Sequence, residues 1–185
     1  MGWETRLEDT LAEAWRRLVR GAADRRAPAR NPALATTARD GAPALRTVVL
    51  RAADPAAGTL EVHTDAASAK AGEIAAEPRV ALLVWEAKAR LQIRVAAEAA
   101  ALDGAARAAR WARVPDGARR AYGGTPAPGV PLAVPEDHDP TPQASRFLPL
   151  VLTATEIETL LLGPDLHRRA RFRRASGWAG EWIAP

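Results

Sequence analysis

The alternation of apolar and polar positions divides the chain into a leading helix, a series of short extended segments and a loop-rich stretch. Trp3, Leu7, Leu11, Trp15 and Leu18 recur at spacings of three and four, so residues 3–20 predict an amphipathic helix with one face for a core. Gly and Pro in "RGAADRRAPARNP" end it. Two extended runs then flank Arg39-Asp40-Gly41, which predicts a hairpin. The second run, "ALRTVVLR" at 44–51, reads as one strand, with Arg46 and Arg51 projecting from opposite faces. "TLEVHT" (59–64) alternates and reads as a strand. "DAASAKAGEIAAEP" (65–78) reads as a helix with Asp65 as N-cap and Pro78 as stop.

"RVALLVW" (79–85) is a continuous apolar run, which predicts a central strand. "RLQIRVAAEAA" (90–100) puts Leu91, Ile93 and Val95 on one face and Arg90, Gln92 and Arg94 on the other. Residues 103–113 and 115–122 predict two short helices. Residues 123–146 are dense in Gly, Pro, Asp and Thr and longer than most connections, so they form a lid or packed irregular chain. "RFLPLVLTA", "EIETLLLG", "RRARFRR" and "GWAGEWIAP" follow as short, separate extended segments. About nine short strands, most joined by hairpin-length turns, predict a mainly β protein, an antiparallel barrel with flanking helices. No repeat or sharp boundary divides it. We therefore read one domain over 1–185, with the helix in 1–22, barrel core strands in 31–102, helices and the long loop in 103–146, and C-terminal strands in 147–185.

Composition narrows the function classes. The absence of Cys excludes a disulfide framework and a Cys-based metal site. It fits a reducing compartment, and acids stand where a signal peptide needs an apolar run, so a cytoplasmic protein without a membrane segment is expected. The net charge is +4, and all 26 basic residues except Lys70 and Lys88 are Arg. These charges are dispersed among acids rather than gathered in a patch with aromatics, which argues against a nucleic-acid partner. Trp15, Trp85 and Trp111 are expected in core or interface packing.

The side-chain inventory offers no catalytic signature. His63, His138 and His167 are far apart, and H-E-x-x-H, G-x-S-x-G and Walker A motifs are all missing. Anion binding remains. "HTDAASAK" puts Thr64, Ser68 and Lys70 at a strand-to-helix junction, where hydroxyls, an ammonium and free helix N–H donors suit a phosphate.

At this point the motifs resemble a family. "ALRTVVLR", then His63-Thr64, then Ser68-x-Lys70, then "EPRVALLVW" (77–85) and "LQIRV" (91–95) are similar in order and spacing to the pyridoxamine 5′-phosphate oxidase family of FMN-binding split barrels. "HRRARFRR" and the ending "GWAGEWIAP" resemble that family's C-terminal stretch. The resemblance covers residues 31–185. It implies a split β-barrel and a homodimer with FMN at the subunit interface. It carries Arg46 to the phosphate side of the flavin and lays the backbone of Thr47, Val48, Val49 and Leu50 along the ring. Arg51 would face ring or substrate. Ser68 and Lys70, with His63 and Thr64 just before them, fall on phosphate-side positions. Gln92 falls on a flavin-contacting Gln, and Arg171 on an Arg supplied by the partner chain.

The resemblance also departs. An Arg of the family is Ala69 here, its flavin-contacting Trp aligns with Leu161, and the Arg and Ser that grip the oxidase substrate's phosphate align with Val114 and Ala118. The oxidases' C-terminal Arg-x-His becomes His167-x-Arg169. "YGGTPAPG" (122–129) is similar to a flavin-binding subgroup rather than the true oxidases. The expected function is an FMN-dependent oxidoreductase acting on a small molecule. Two other readings stand beside it: a non-catalytic flavin or haem carrier or sensor, with His63 as haem ligand, and a cofactor-free anion- or nucleic-acid-binding module. No metal site is expected.

Overall fold

The computed structural model describes residues 2–185, and its centre is a nine-stranded antiparallel sheet. The elements in chain order are α1 (Leu7–Ala23), β1 (Ala33–Thr37), β2 (Pro43–Thr47), β3 (Leu50–Asp54), β4 (Thr59–Asp65), α2 (Ala69–Ala76), β5 (Arg79–Glu86) and β6 (Leu91–Ala101). Then come α3 (Gly104–Ala112), α4 (Asp116–Arg119), β7 (Phe147–Leu162), β8 (His167–Arg173) and β9 (Gly180–Ile183). The sheet runs β2-β1-β5-β6-β7-β4-β3, with β8 on β7 and β9 on β8.

The barrel splits at β7. "RFLPLVLTA" and "EIETLLLG" are one strand of 16 residues, not two. Its first half pairs with β4 through Thr59↔Thr153 to Asp65↔Phe147, and its second half pairs with β8 through Glu156↔Arg173 to Leu162↔His167. The register against β6 slips between these halves, where Thr155 is the extra residue. A bulge of this kind bends the strand, and here it coincides with the exchange of β4 for β8. Sequence periodicity reads the slip as a break because the alternation shifts phase there.

"ALRTVVLR" behaves in the opposite way. It is not one strand but two, β2 and β3, interrupted at Val48 and Val49 and lying at opposite ends of the sheet path. The Val48 amide donates to the Pro32 carbonyl at 3.0 Å, so the chain leaves β1 at this point and crosses to β4. Arg51 is then the unpaired residue of a bulge between Leu50↔Val62 and Ala52↔Glu61.

The helix predicted over 65–78 is shorter, Ala69–Ala76, because the Asp65 carboxylate takes the Ala67 amide in a turn before the helix begins. The hairpin turn falls where expected, with Gly41 at φ +84°, a conformation that favours glycine. The core lies inside the barrel: Leu34, Leu50, Leu60, Leu82, Ile93, Leu152 and Ile157 are almost fully buried. Helix α1 seats Trp15 and Leu18 against it. A second small core under the long loop joins Val114, Tyr122 and Phe147, with Trp111 packed edgewise. Trp85 does not join a core and is 48% exposed. Among the described residues no helix is long and apolar enough to cross a membrane.

Candidate cofactor and substrate site

The structure gathers one half of the sequence-derived site at the junction of β4 and α2. Along β4, Leu60, Val62 and Thr64 face one way and Glu61, His63 and Asp65 the other. Thr64 and Ser68 are buried, and their hydroxyls lie 3.1 Å apart. Lys70 Nζ donates to Thr64 Oγ1 at 3.1 Å. Burial, and then the nearby Arg46 guanidinium, push the Lys70 ammonium below its ordinary value, while Asp65 and Glu73 pull it back. Arg46 reaches this group from β2. Its guanidinium donates to Glu73 at 2.7 Å and to the Thr36 hydroxyl, which in turn donates to Glu73 at 2.5 Å. The bond from Thr36 and the Arg46 charge hold the Glu73 carboxyl below the usual range.

This cradle fits a phosphate ester. Two cations and two buried hydroxyls converge, and Lys70 lacks a direct carboxylate partner among the described residues. Arg46 is matched by Glu73, but a desolvated ammonium without a direct carboxylate partner leaves a place for an anion beside Lys70. Val48 and Leu50 are buried, Val49 is half-buried and Thr47 is exposed, so the connection from Thr47 to Leu50 runs from the cradle toward Arg51 with its backbone partly free of the sheet ladder.

The other half of the local site is a cavity of about 390 Å³ lined by Arg30, Arg51, Glu61, His63, Arg110 and Arg113, with Val114 and Pro115 closing one side. His63 Nε2 lies 2.8 Å from Glu61 Oε1, and Arg110 Nε lies 3.1 Å from Glu61 Oε2. These two contacts, the His63 bond first, hold Glu61 below the ordinary carboxylate range. His63 therefore faces this cavity and not the cradle. With Nε2 committed to Glu61 and its ring edge-on to Phe147 at 4.8 Å, it makes a poor haem ligand.

Arg51 Nε is buried without a hydrogen-bond partner among the described residues. Burial, and then the charges of Arg51 and Arg25, push the Arg30 guanidinium down from its usual value, so positive charges crowd here without enough acid. Arg30, Arg110 and Arg113 are functional candidates that sequence reasoning missed. Their only signal, a wealth of arginine, is spread over the whole chain.

Gln92 and Arg171 are not brought to either group. Both lie on the outer sheet face, in cross-strand rows with Trp85 and with Glu158. The row Thr47–Ala33–Leu83–Arg94–Glu158–Arg171 crosses five strand gaps, roughly 24 Å along the sheet. Arg171 faces Glu156 and Glu158 at 3.9 Å and Glu181 at 3.7 Å. This same outer face carries Leu45, Leu83 and Trp85, which are 71%, 38% and 48% exposed. His138 is exposed.

Comparison with known proteins bears on the fold and the cofactor. Residues 12–103 match the model of the pyridoxamine 5′-phosphate oxidase FMN-binding domain. A segment of 73 residues, 40% of this chain, is 42% identical to pyridoxine/pyridoxamine 5′-phosphate oxidase of Sphingopyxis alaskensis, and the match spans 33% of that enzyme's length. A crystal structure of a pyridoxamine 5′-phosphate oxidase-related, FMN-binding protein from Nostoc punctiforme superposes with a TM-score of 0.72 at 28% identity, covering 95% of this chain and 96% of that one. PhzG from Burkholderia lata 383, solved with tetrahydrophenazine-1-carboxylic acid, shares the fold with a TM-score of 0.73 at 21% identity, covering 97% and 90%. The fold is the split barrel, and FMN is the cofactor of the matched domain.

Proposed function

We propose that this chain, which belongs to the pyridoxamine 5′-phosphate oxidase family of FMN-binding split barrels, is an FMN-dependent oxidoreductase that works as a homodimer on a small, negatively charged molecule. The observation that carries the reading is the convergence of Arg46, Thr64, Ser68 and Lys70 on one cradle. Thr64, Ser68 and Lys70 hold the phosphate of FMN, and Arg46 turns toward it from Glu73. The connection Thr47–Leu50 supports the ring. The chemistry that FMN supplies is electron or hydride transfer, so no side chain has to act as a nucleophile.

Arg51, Arg30, Arg110 and Arg113 then orient the anionic end of a substrate in the adjoining cavity. His63 and Glu61 fix Arg110 there. Val114 and Ala118 leave the oxidase's own phosphate grip without its Arg and Ser, so a different anionic substrate is favoured over pyridoxamine 5′-phosphate.

The homodimer supplies what one chain lacks. Gln92 and Arg171 lie on the outer face beside the exposed Leu45, Leu83 and Trp85. A twofold contact through that face buries these apolar residues and brings one subunit's Gln92 and Arg171 toward the other's Thr47–Leu50 connection.

Two measurements test the reading. FMN added to the purified protein is expected to stay with it through desalting, whereas riboflavin is expected to be lost more readily. The bound flavin is expected to be reduced by a nicotinamide nucleotide or by an acidic organic substrate under anaerobic conditions. Retention without any such reduction would favour a carrier or sensor, and failure to retain FMN would remove the reading altogether.

A further inference from the structure

Asp65 occupies a position that cofactor binding alone does not require. It ends β4, directly after Thr64, and is buried. Its main-chain carbonyl accepts from the Ser68 amide at 3.0 Å and the Ser68 hydroxyl at 2.7 Å. Its carboxylate is turned to the far side. Oδ1 accepts from the Ala67 amide and from Arg146 Nε, both at 2.8 Å, and Oδ2 accepts from the Gly123 amide at 2.8 Å. The Arg146 carbonyl in turn accepts from the Ala66 amide at 2.7 Å.

Gly123 and Arg146 are the two ends of the long loop. Gln143 ties them further, its amide donating to the Tyr122 carbonyl at 3.0 Å and its side chain to the Gly123 carbonyl at 2.8 Å. Gly123 has φ +110°, and a Cβ there would stand 2.3 Å from the Gln143 nitrogen, so the closure has no room for a side chain. Next to it Tyr122 packs with Val114, which lines the arginine cavity.

We infer that Asp65 is a positioning residue that couples occupancy of the phosphate cradle to the seating of residues 123–146, and so to the wall of the substrate cavity. The inference rests on the cofactor reading above. A phosphate that takes the Ser68 hydroxyl proton, now given to the Asp65 carbonyl, acts directly on the turn 65–68; the turn carries the carboxylate, and the carboxylate holds both loop ends. Both of its bonds to the loop are charge-assisted, the one from Gly123 buried and the one from Arg146 part-buried, and a buried partner left unmatched is costly, so the turn and the loop ends order together. The intervening residues 130–142 are exposed, and Asp139 pairs back to Thr125 beside the Gly123 end, at 2.8 and 2.9 Å.

Hydrogen exchange of the full-length protein, read by mass spectrometry with saturating FMN, with saturating riboflavin and with neither, tests this. FMN is expected to slow exchange in peptides covering 123–146 several-fold. Riboflavin, which lacks the phosphate, is expected to leave them unchanged. Asp65→Asn keeps the size but puts an NH2 donor in place of one of the two accepting oxygens. It is expected to abolish the FMN effect on the loop and to lower FMN affinity toward that for riboflavin.

Arg146→Gln alters the loop side alone and is expected to abolish the effect too, so it decides the matter if Asp65→Asn does not fold by circular dichroism. Wild-type protein that fails to bind FMN overturns the cofactor reading. Wild-type protein that binds FMN with no change in the loop, an equal effect of riboflavin, or folded variants that keep the FMN response overturn the coupling.

Discussion

Arg46 and Arg51 stand five positions apart in the chain and on the two terminal strands of the sheet path. One is paired with Glu73, and the other opens into a cavity whose carboxylate, Glu61, is already taken by His63 and Arg110. The break at Val48–Val49 produces this division, because a continuous strand would have kept both arginines on one edge. The two guanidiniums consequently face different surroundings, Arg46 the Glu73 carboxylate and Arg51 the cavity.

Arg46→Ala and Lys70→Ala are each expected to weaken FMN binding about 10- to 100-fold, the worth of one charge-assisted hydrogen bond of about 1.5–3 kcal/mol. Riboflavin binding is expected to change little, since only FMN carries the phosphate. Flavin fluorescence titration of both ligands against each variant measures the difference, and equal losses for the two flavins would displace the phosphate from this cradle.

The pH dependence follows from Lys70. Burial lowers its pKa in the free protein, and a phosphate beside it stabilises the ammonium and raises it. FMN affinity is therefore complete at pH values below the free-protein pKa of Lys70 and falls as pH rises through it, at a pH lower than the ~10.4 of an ordinary lysine. Riboflavin affinity should stay flat over the same range. Titrations from neutral to alkaline pH separate the two, and Lys70→Arg, which keeps its charge, is expected to flatten the FMN curve.

Much of this architecture is legible in the chain itself. Alternation in "TLEVHT" and "RLQIRVAAEAA" gives β4 and β6, and for β6 its buried face too, while in β4 Glu61 and Asp65 on the polar side are buried as well. The cradle at Thr64, Ser68 and Lys70 is legible too, being local to one strand-helix junction. Two things are not. The interruption of 44–51 is imposed by barrel closure and leaves no Gly or Pro as a mark, and the merging of two segments into β7 depends on a bulge at Thr155 that looks like a boundary. The arginine cavity is also hidden, since it unites Arg30, Arg51, Glu61 and Arg110 from parts of the chain that only tertiary packing brings together.

Disrupting the outer face tests the dimer. Leu83→Glu places a charge in the middle of the patch formed with Leu45 and Trp85, yet Leu83 is exposed in the single chain and lies outside the core, so the fold should survive. Sedimentation is expected to shift from dimer to monomer. FMN retention is expected to fall with it, because Gln92 and Arg171 can reach the Thr47–Leu50 connection only from a second subunit. A monomeric variant that keeps full FMN affinity would show that one chain holds the flavin unaided.

The substrate cavity yields the sharpest expectation about specificity. Arg30, Arg51, Arg110 and Arg113 line the cavity with one carboxylate among its described lining residues, Glu61, which is engaged by His63 and Arg110, so Arg113, and Arg51 beyond its contact with Tyr122, carry charge that no carboxylate of the cavity matches. Arg30 is occupied differently, its Nη1 donating to the carbonyls of Ala22 at 2.7 Å and Leu50 at 3.1 Å, and it contributes charge more than contact. Organic acids and phosphate esters should therefore compete with one another for the FMN-loaded protein, while their neutral amide or alcohol counterparts should not. Arg113→Glu reverses one charge at an exposed position and is expected to raise KM for an anionic substrate about 10-fold or more with kcat less affected, as loss of an interaction made equally in ground and transition states does. Because that site draws its ligand by charge, raising the salt concentration should lower kcat/KM for the wild type more than for Arg113→Glu. An acidic substrate and its neutral counterpart turned over equally well, with no response to salt, would leave the arginines without a role in substrate selection.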